Sequence, residues 1–188
     1  MKLTRRVVRL LTSPAAEWAT IAAERDDVSA IYAAHVVPLA AIPSLAMLLG
    51  IALDGGGFLG AAGIVLMAAG MTYAITLATP FFAALTIEQL ASRFKSDGSE
   101  RRAFALVAYA STPMWLAGVF YLFVRLWPLV PAGAVYAIYL LYIGCGRMMD
   151  TPADQRLPLT LVTVISVMVV NIALRWVAQQ AGIPTYGF

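Results

Sequence analysis

Few side chains in this sequence are equipped for chemistry, and they do not gather. One histidine, His35, and one cysteine, Cys145, stand far apart. There is thus no His/Cys set at metal-ligand spacing, and a single thiol excludes an internal disulfide framework. No nucleophile–base pair and no Gly-rich phosphate loop accompanies them. Catalysis, a metal and a cofactor are therefore not expected. What remains is a set of polar residues in apolar surroundings, the densest being "YASTPMWLAG" at 109–118. It places a tyrosine, a serine, a threonine and a proline where a lipid-embedded helix would favour leucine.

The chemistry there is hydrogen bonding. Pro113 has no N–H, so the carbonyl of Tyr109, four residues back, loses its helical donor. An unsatisfied carbonyl in hydrocarbon costs several kcal/mol. The hydroxyl of Thr112 is expected to reach the Tyr109 carbonyl and repair the break. The same device is expected at Thr79–Pro80, with Thr79 reaching the carbonyl of Thr76. Pro38 and Pro43 each free a carbonyl without a preceding threonine. These positions are read as kinks and tight packing, with a moving hinge or a small polar cavity as the other reading. Tyr136, Tyr139 and Tyr142, three apart, are read as core packing rather than a ligand-lining stripe.

The elements that carry these residues follow from composition. Of 188 residues, 61% are hydrophobic and only 12% charged, with a mean hydropathy of +0.81. Soluble domains carry about twice that share of charge, so the solvent is lipid. Five segments are long enough to cross a hydrocarbon core of about 30 Å, near Ala30–Leu53, Phe58–Ala84, Ala103–Val124, Trp127–Cys145 and Leu159–Gln179. The fold class is all-α, a five-helix membrane bundle. Gly56, Gly60, Gly63, Gly70 and Gly118 are expected to let helices approach closely.

Orientation follows from where lysine and arginine fall. The start of the chain, the second-to-third loop and the fourth-to-fifth loop hold eleven of the thirteen, and Arg125 and Arg175 are the two others. The expectation is a cytoplasmic N-terminus and an outside C-terminus. This arginine excess fits membrane topology, and nucleic acid is not an expected partner. Near the outer surface, Asp54 is expected to pair with Arg125 or Arg175, because a charge at the lipid boundary must snorkel or find a partner. Glu88 is expected on a cytoplasmic extension of the second helix.

Residues 1–29 form a separate cytoplasmic segment, and 30–188 the membrane domain. Arg9 interrupts any signal-peptide core, so the first membrane helix is expected to act as the targeting signal. Ser13 followed by Pro14 reads as an N-cap and first helical residue. The segment is read either as a basic amphipathic element on the cytoplasmic face or as an ordinary positive flank.

Four stretches, "LTSPAAEWATIAAE" (11–24), "VVPLAAIP" (36–43), "YASTPMWLAGVFYL" (109–122) and "YLLYIGCGRMMDTPADQ" (139–155), together resemble bacterial members of the YIP domain family. The resemblance implies a five-helix membrane domain with a cytoplasmic N-terminus. Its best match is Tyr109 through Pro113, where the family has a tyrosine and a helix-breaking proline early in the third span. Eukaryotic relatives act in vesicle traffic and contact Rab GTPases, but their acidic–Leu–x–Gly–Pro signature is not found before the first span here. The expected function is a non-catalytic protein of the bacterial cytoplasmic membrane. Its expected partners are the lipid bilayer and other membrane proteins or further copies of itself. The alternatives are a transporter or channel built on the proline-broken helices and a lipid-modifying enzyme or its regulatory subunit.

Overall fold

The computed structural model describes residues 3–53 and 58–183, apart from the side chains of 58–61 and 124. Asp54 and Gly56 lie outside the described residues, as does the expected pairing of Asp54; Gly60 lies in a helix whose side chain there is not described. The described residues are mostly helical, without strands, with the α-helices in the order α1 (Leu3–Thr12), α2 (Pro14–Ala23), α3 (Val28–Ile31), α4 (Val37–Leu53), α5 (Phe58–Leu90), α6 (Glu100–Ala110), α7 (Thr112–Ala117), α8 (Val130–Met148) and α9 (Ala153–Gln180). Five helical stretches are long and apolar enough to span a membrane.

Two span boundaries differ from those read in the sequence. The first span begins at Val28, because the carboxylate of Asp27 accepts the Val28 N–H and the Ser29 hydroxyl, as an N-cap does. The last helix starts at Ala153, before Pro158 rather than after it. Pro158 lies inside this helix, where it removes the N–H that the Asp154 carbonyl would otherwise accept from. Helix α5 runs unbroken through Pro80 and Glu88 to Leu90, and a 3-10 turn carries it to Phe94. Lys95 then closes it in the left-handed region at φ 53°.

The third span is the hub. Its membrane-length window is 72% buried, against 17% for that of the fifth. Every side chain from Ala103 to Ala110 is buried. Four of those eight residues are alanines, whose small side chains let α4, α5 and α8 close around it. Glycine completes two of these approaches. A Cβ on Gly118 would lie 2.6 Å from Pro43 Cγ, and one on Gly144 would lie 2.3 Å from Leu106 Cδ1. Gly63 and Gly70 do not act this way. Both are exposed, and a Cβ there would meet nothing within 4 Å. The tyrosine series also divides. Tyr136 packs against the core and donates to the Leu11 carbonyl at 2.8 Å, while Tyr139 and Tyr142 are exposed. Three-residue spacing drifts around a helix that turns every 3.6, so one stripe cannot stay on one face.

The end of the bundle that holds α1 and α2 also carries the second-to-third and fourth-to-fifth loops. Asp97 N–H donates to Met149 O at 2.8 Å, Ser96 and Thr151 hydroxyls lie 2.9 Å apart, and Arg102 bridges Asp97 and Asp150.

Candidate functional site

The third helix is interrupted at Ser111, where φ −74° and ψ −11° open the turn between α6 and α7. Pro113 lies just beyond, and its missing N–H is answered locally. Thr112 Oγ1 donates to the Tyr109 carbonyl at 2.7 Å, fully inside the protein. The same oxygen lies 2.9 Å from His35 Nε2. A hydroxyl has one proton. Having given it to Tyr109 O, Thr112 must accept from His35, so His35 carries its proton on Nε2. Its Nδ1 is buried without a hydrogen-bond partner, as expected of the bare nitrogen of a neutral ring.

His35 reaches this position from a π-helical turn, Tyr32–Val36, between α3 and α4. The wide turn precedes Pro38, and Val37 N–H there bonds Tyr32 O, five residues back. Such bulges reset a helix without losing its backbone bonds. The His35 ring packs on Tyr109 at 4.5 Å between centroids. From Tyr109 the polar chain continues outward. Its hydroxyl accepts from Arg6 Nη1 at 3.0 Å, and the Arg6 guanidinium lies 5.0 Å from the Tyr109 ring centre.

Arg6 is the unexpected member. It belongs to α1, yet its side chain is only 7% exposed. Glu17 lies 3.6 Å from it and is itself 1% exposed; Glu24 bonds it directly. Attraction to Glu24, and after it to Tyr109, outweighs burial and raises the Arg6 pKa above its usual value. Arg101 secures the same corner by donating to the Glu24 carbonyl at 3.0 Å. Trp18 and Ile21, three apart on α2, are buried against the bundle, and α2 packs on α8. Ser13 stands at the N-cap of α2 but makes no side-chain cap bond.

A cavity of about 100 Å³ lies on the other side of the kink. Pro43, Thr79, Pro80, Ser111, Asn171 and Arg175 line it. The second-span repair differs from the expectation here. Thr79 Oγ1 donates to Ile75 O, four residues back, and not to Thr76 O. Helical threonine chooses between two rotamers. Asn171 Nδ2 donates to Thr79 Oγ1 at 3.2 Å, which suits the rotamer observed. Pro43 and Pro80 both lie inside uninterrupted helices, so among the described spans it is the third that breaks beside its proline.

Of the singled-out residues, Tyr109, Thr112 and Pro113 thus lie together in the core, while Pro43, Thr79 and Pro80 meet at the cavity. Pro38 sits at the start of α4, Glu88 is half-buried on α5, and Arg125 is exposed. His35 and Arg6 went unnoticed as site residues. Their signals were present: an ionisable residue within an apolar span, and an arginine on the same face of α1 as Leu3 and Leu10.

Five apolar spans, the third of them a buried hub, with a polar chain running inward from one end, define a polytopic helical membrane protein. The Yip1 domain model matches residues 8–174, and the chain belongs to that family. Neither a curated protein nor a solved structure matches it.

Proposed function

We propose that this Yip1 domain protein is non-catalytic and organises the membrane or docks membrane partners at the end that carries α1. The observation that supports this reading is the Arg6–Tyr109 link. It fastens an amphipathic helix to the kinked hub while leaving the opposite face outward. On that face Val8 is 51% and Leu11 38% exposed, beside exposed Arg5 and Arg9. Apolar and basic residues together suit the headgroup boundary. Each arginine near an anionic surface contributes about 1 kcal/mol. In this reading the N-terminus faces the cytoplasm of a bacterium and the protein sits in the cytoplasmic membrane. It needs no cofactor or nucleic acid, and its partners are lipid and other membrane proteins or copies of itself.

Reconstitution into vesicles with and without phosphatidylglycerol tests this. Wild-type protein should change vesicle shape or cluster in anionic bilayers, and Arg5→Gln/Arg9→Gln should weaken the effect. No dependence on lipid charge, together with selective solute flux, would instead support a transporter working through the cavity beside Pro43 and Pro80.

A further inference from the structure

A second hollow runs along the lipid-facing side of the bundle between the third, fourth and fifth spans. It encloses about 380 Å³ and is almost wholly apolar, within the range of small-molecule sites. It exists because Ala110, Ala134 and Ala137 are too short to fill the space between their helices. Along α9 it extends from Thr163 to Arg175. That stretch rises about 18 Å, close to the roughly 15 Å depth of one leaflet's hydrocarbon.

One end is charged. Arg175 lines both this groove and the cavity at the kink. It lies toward the end of α9 remote from α1. Next to it Trp176 is 60% exposed, and at the start of the fourth span Trp127 is 47% exposed. Exposed tryptophans mark the level of the headgroups, so Arg175 stands where a lipid phosphate would be. A guanidinium grips phosphate oxygens two at a time.

We infer that this groove holds one acyl chain of an anionic diacyl phospholipid from the leaflet opposite α1, with Arg175 on its phosphate. The length of the groove matches the chain, and the charge at its end matches the headgroup. The site is distinct from the α1 surface and does not depend on the function proposed above. Because Ser111 lines the groove, the bound chain lies directly against the break in the third helix.

The test uses the full chain purified in mild detergent, offered phosphatidylglycerol or phosphatidylcholine with identical tails, and weighed intact by native mass spectrometry. Wild-type protein should retain one phosphatidylglycerol per chain, about tenfold over phosphatidylcholine, the effect of one charge-assisted contact. Arg175→Gln should bring phosphatidylglycerol down to the phosphatidylcholine level. Ala137→Phe, which fills the groove, should abolish retention of both. If that variant fails to fold, phosphatidylglycerol carrying a photoreactive tail decides on wild-type protein, and should label Ile138 or Met168. Equal retention of the two lipids by wild type, or a preference that survives Arg175→Gln, overturns the inference. Labelling elsewhere, or a lipid-free dimer that covers the groove with a second copy, overturns it as well.

Discussion

Replacing Thr112 with valine keeps the shape of the side chain and removes two hydrogen bonds at once. The Tyr109 carbonyl loses the donor that stands in for the missing N–H of Pro113, and His35 Nε2–H loses its acceptor. Hydroxyl bonds in membranes average about 0.6 kcal/mol and reach about 1.7, so the two together amount to about 1–3 kcal/mol. In a Pro113→Ala background the backbone N–H restored at that position serves Tyr109 O again. The cost of Thr112→Val should then fall by about half, to about 0.5–1.7 kcal/mol, because the His35 share remains. In a His35→Phe background it should fall by the complementary share. With both changes in place it should approach zero. Unfolding in mixed detergent with rising dodecyl sulfate, read by circular dichroism, measures each leg of the cycle. Equal Thr112→Val costs in all four backgrounds would refute the arrangement in which Thr112 donates to Tyr109 O and accepts from His35. A cost abolished by Pro113→Ala alone would show that the His35 contact carries no energy.

Four further outcomes are expected. Arg6→Met leaves buried Glu17 with only the half-exposed Arg9, at 3.7 Å, as a cation, a defect below the roughly 3–5 kcal/mol of a fully broken buried pair; α1 should loosen, and trypsin should cut after Arg9 at least about tenfold faster. Gly118→Ala drives a Cβ to within 2.6 Å of Pro43 and should cost about 1–3 kcal/mol, whereas Gly63→Ala meets nothing and should be neutral or stabilise by up to about 1 kcal/mol; similar losses at both would contradict the packing described. The Ser29 hydroxyl, and after it the Val28 N–H, hold the Asp27 carboxyl below its usual range. Its contribution is therefore present above the unfolded value of about 3.9 and lost as pH falls through the lower folded value, so the melting-temperature gap between wild type and Asp27→Ala should close in acid. A reporter active only outside the cytoplasm should respond when fused after Phe188 or at Gly56 and stay silent at Ser96 or Asp154; the reverse pattern would overturn the orientation read from lysine and arginine.

The sequence alone determined the properties that depend on neighbours a few residues away. The five spans follow from runs of apolar residues about as long as the hydrocarbon is thick. The Thr112–Tyr109 bond was legible because a threonine and the carbonyl three residues behind it lie on one helical turn. Tertiary structure decided the rest. Thr79 turned to Ile75 in the presence of Asn171, 92 positions away. Arg6 became a buried residue because Tyr109, 103 positions on, offers it a hydroxyl and a ring face. Gly63 and Gly70 carry the same residue type as Gly118, and only the facing of α5 leaves them outside the contacts. The third span is no more apolar than the others, with a hydropathy of 1.5 against 2.3 for the first and fifth, yet it is the hub. In lipid, hydrophobicity does not separate inside from outside; close approach of small side chains and pairing of polar groups do. Those pairings join distant parts of the chain, so periodicity along the sequence carries no record of them.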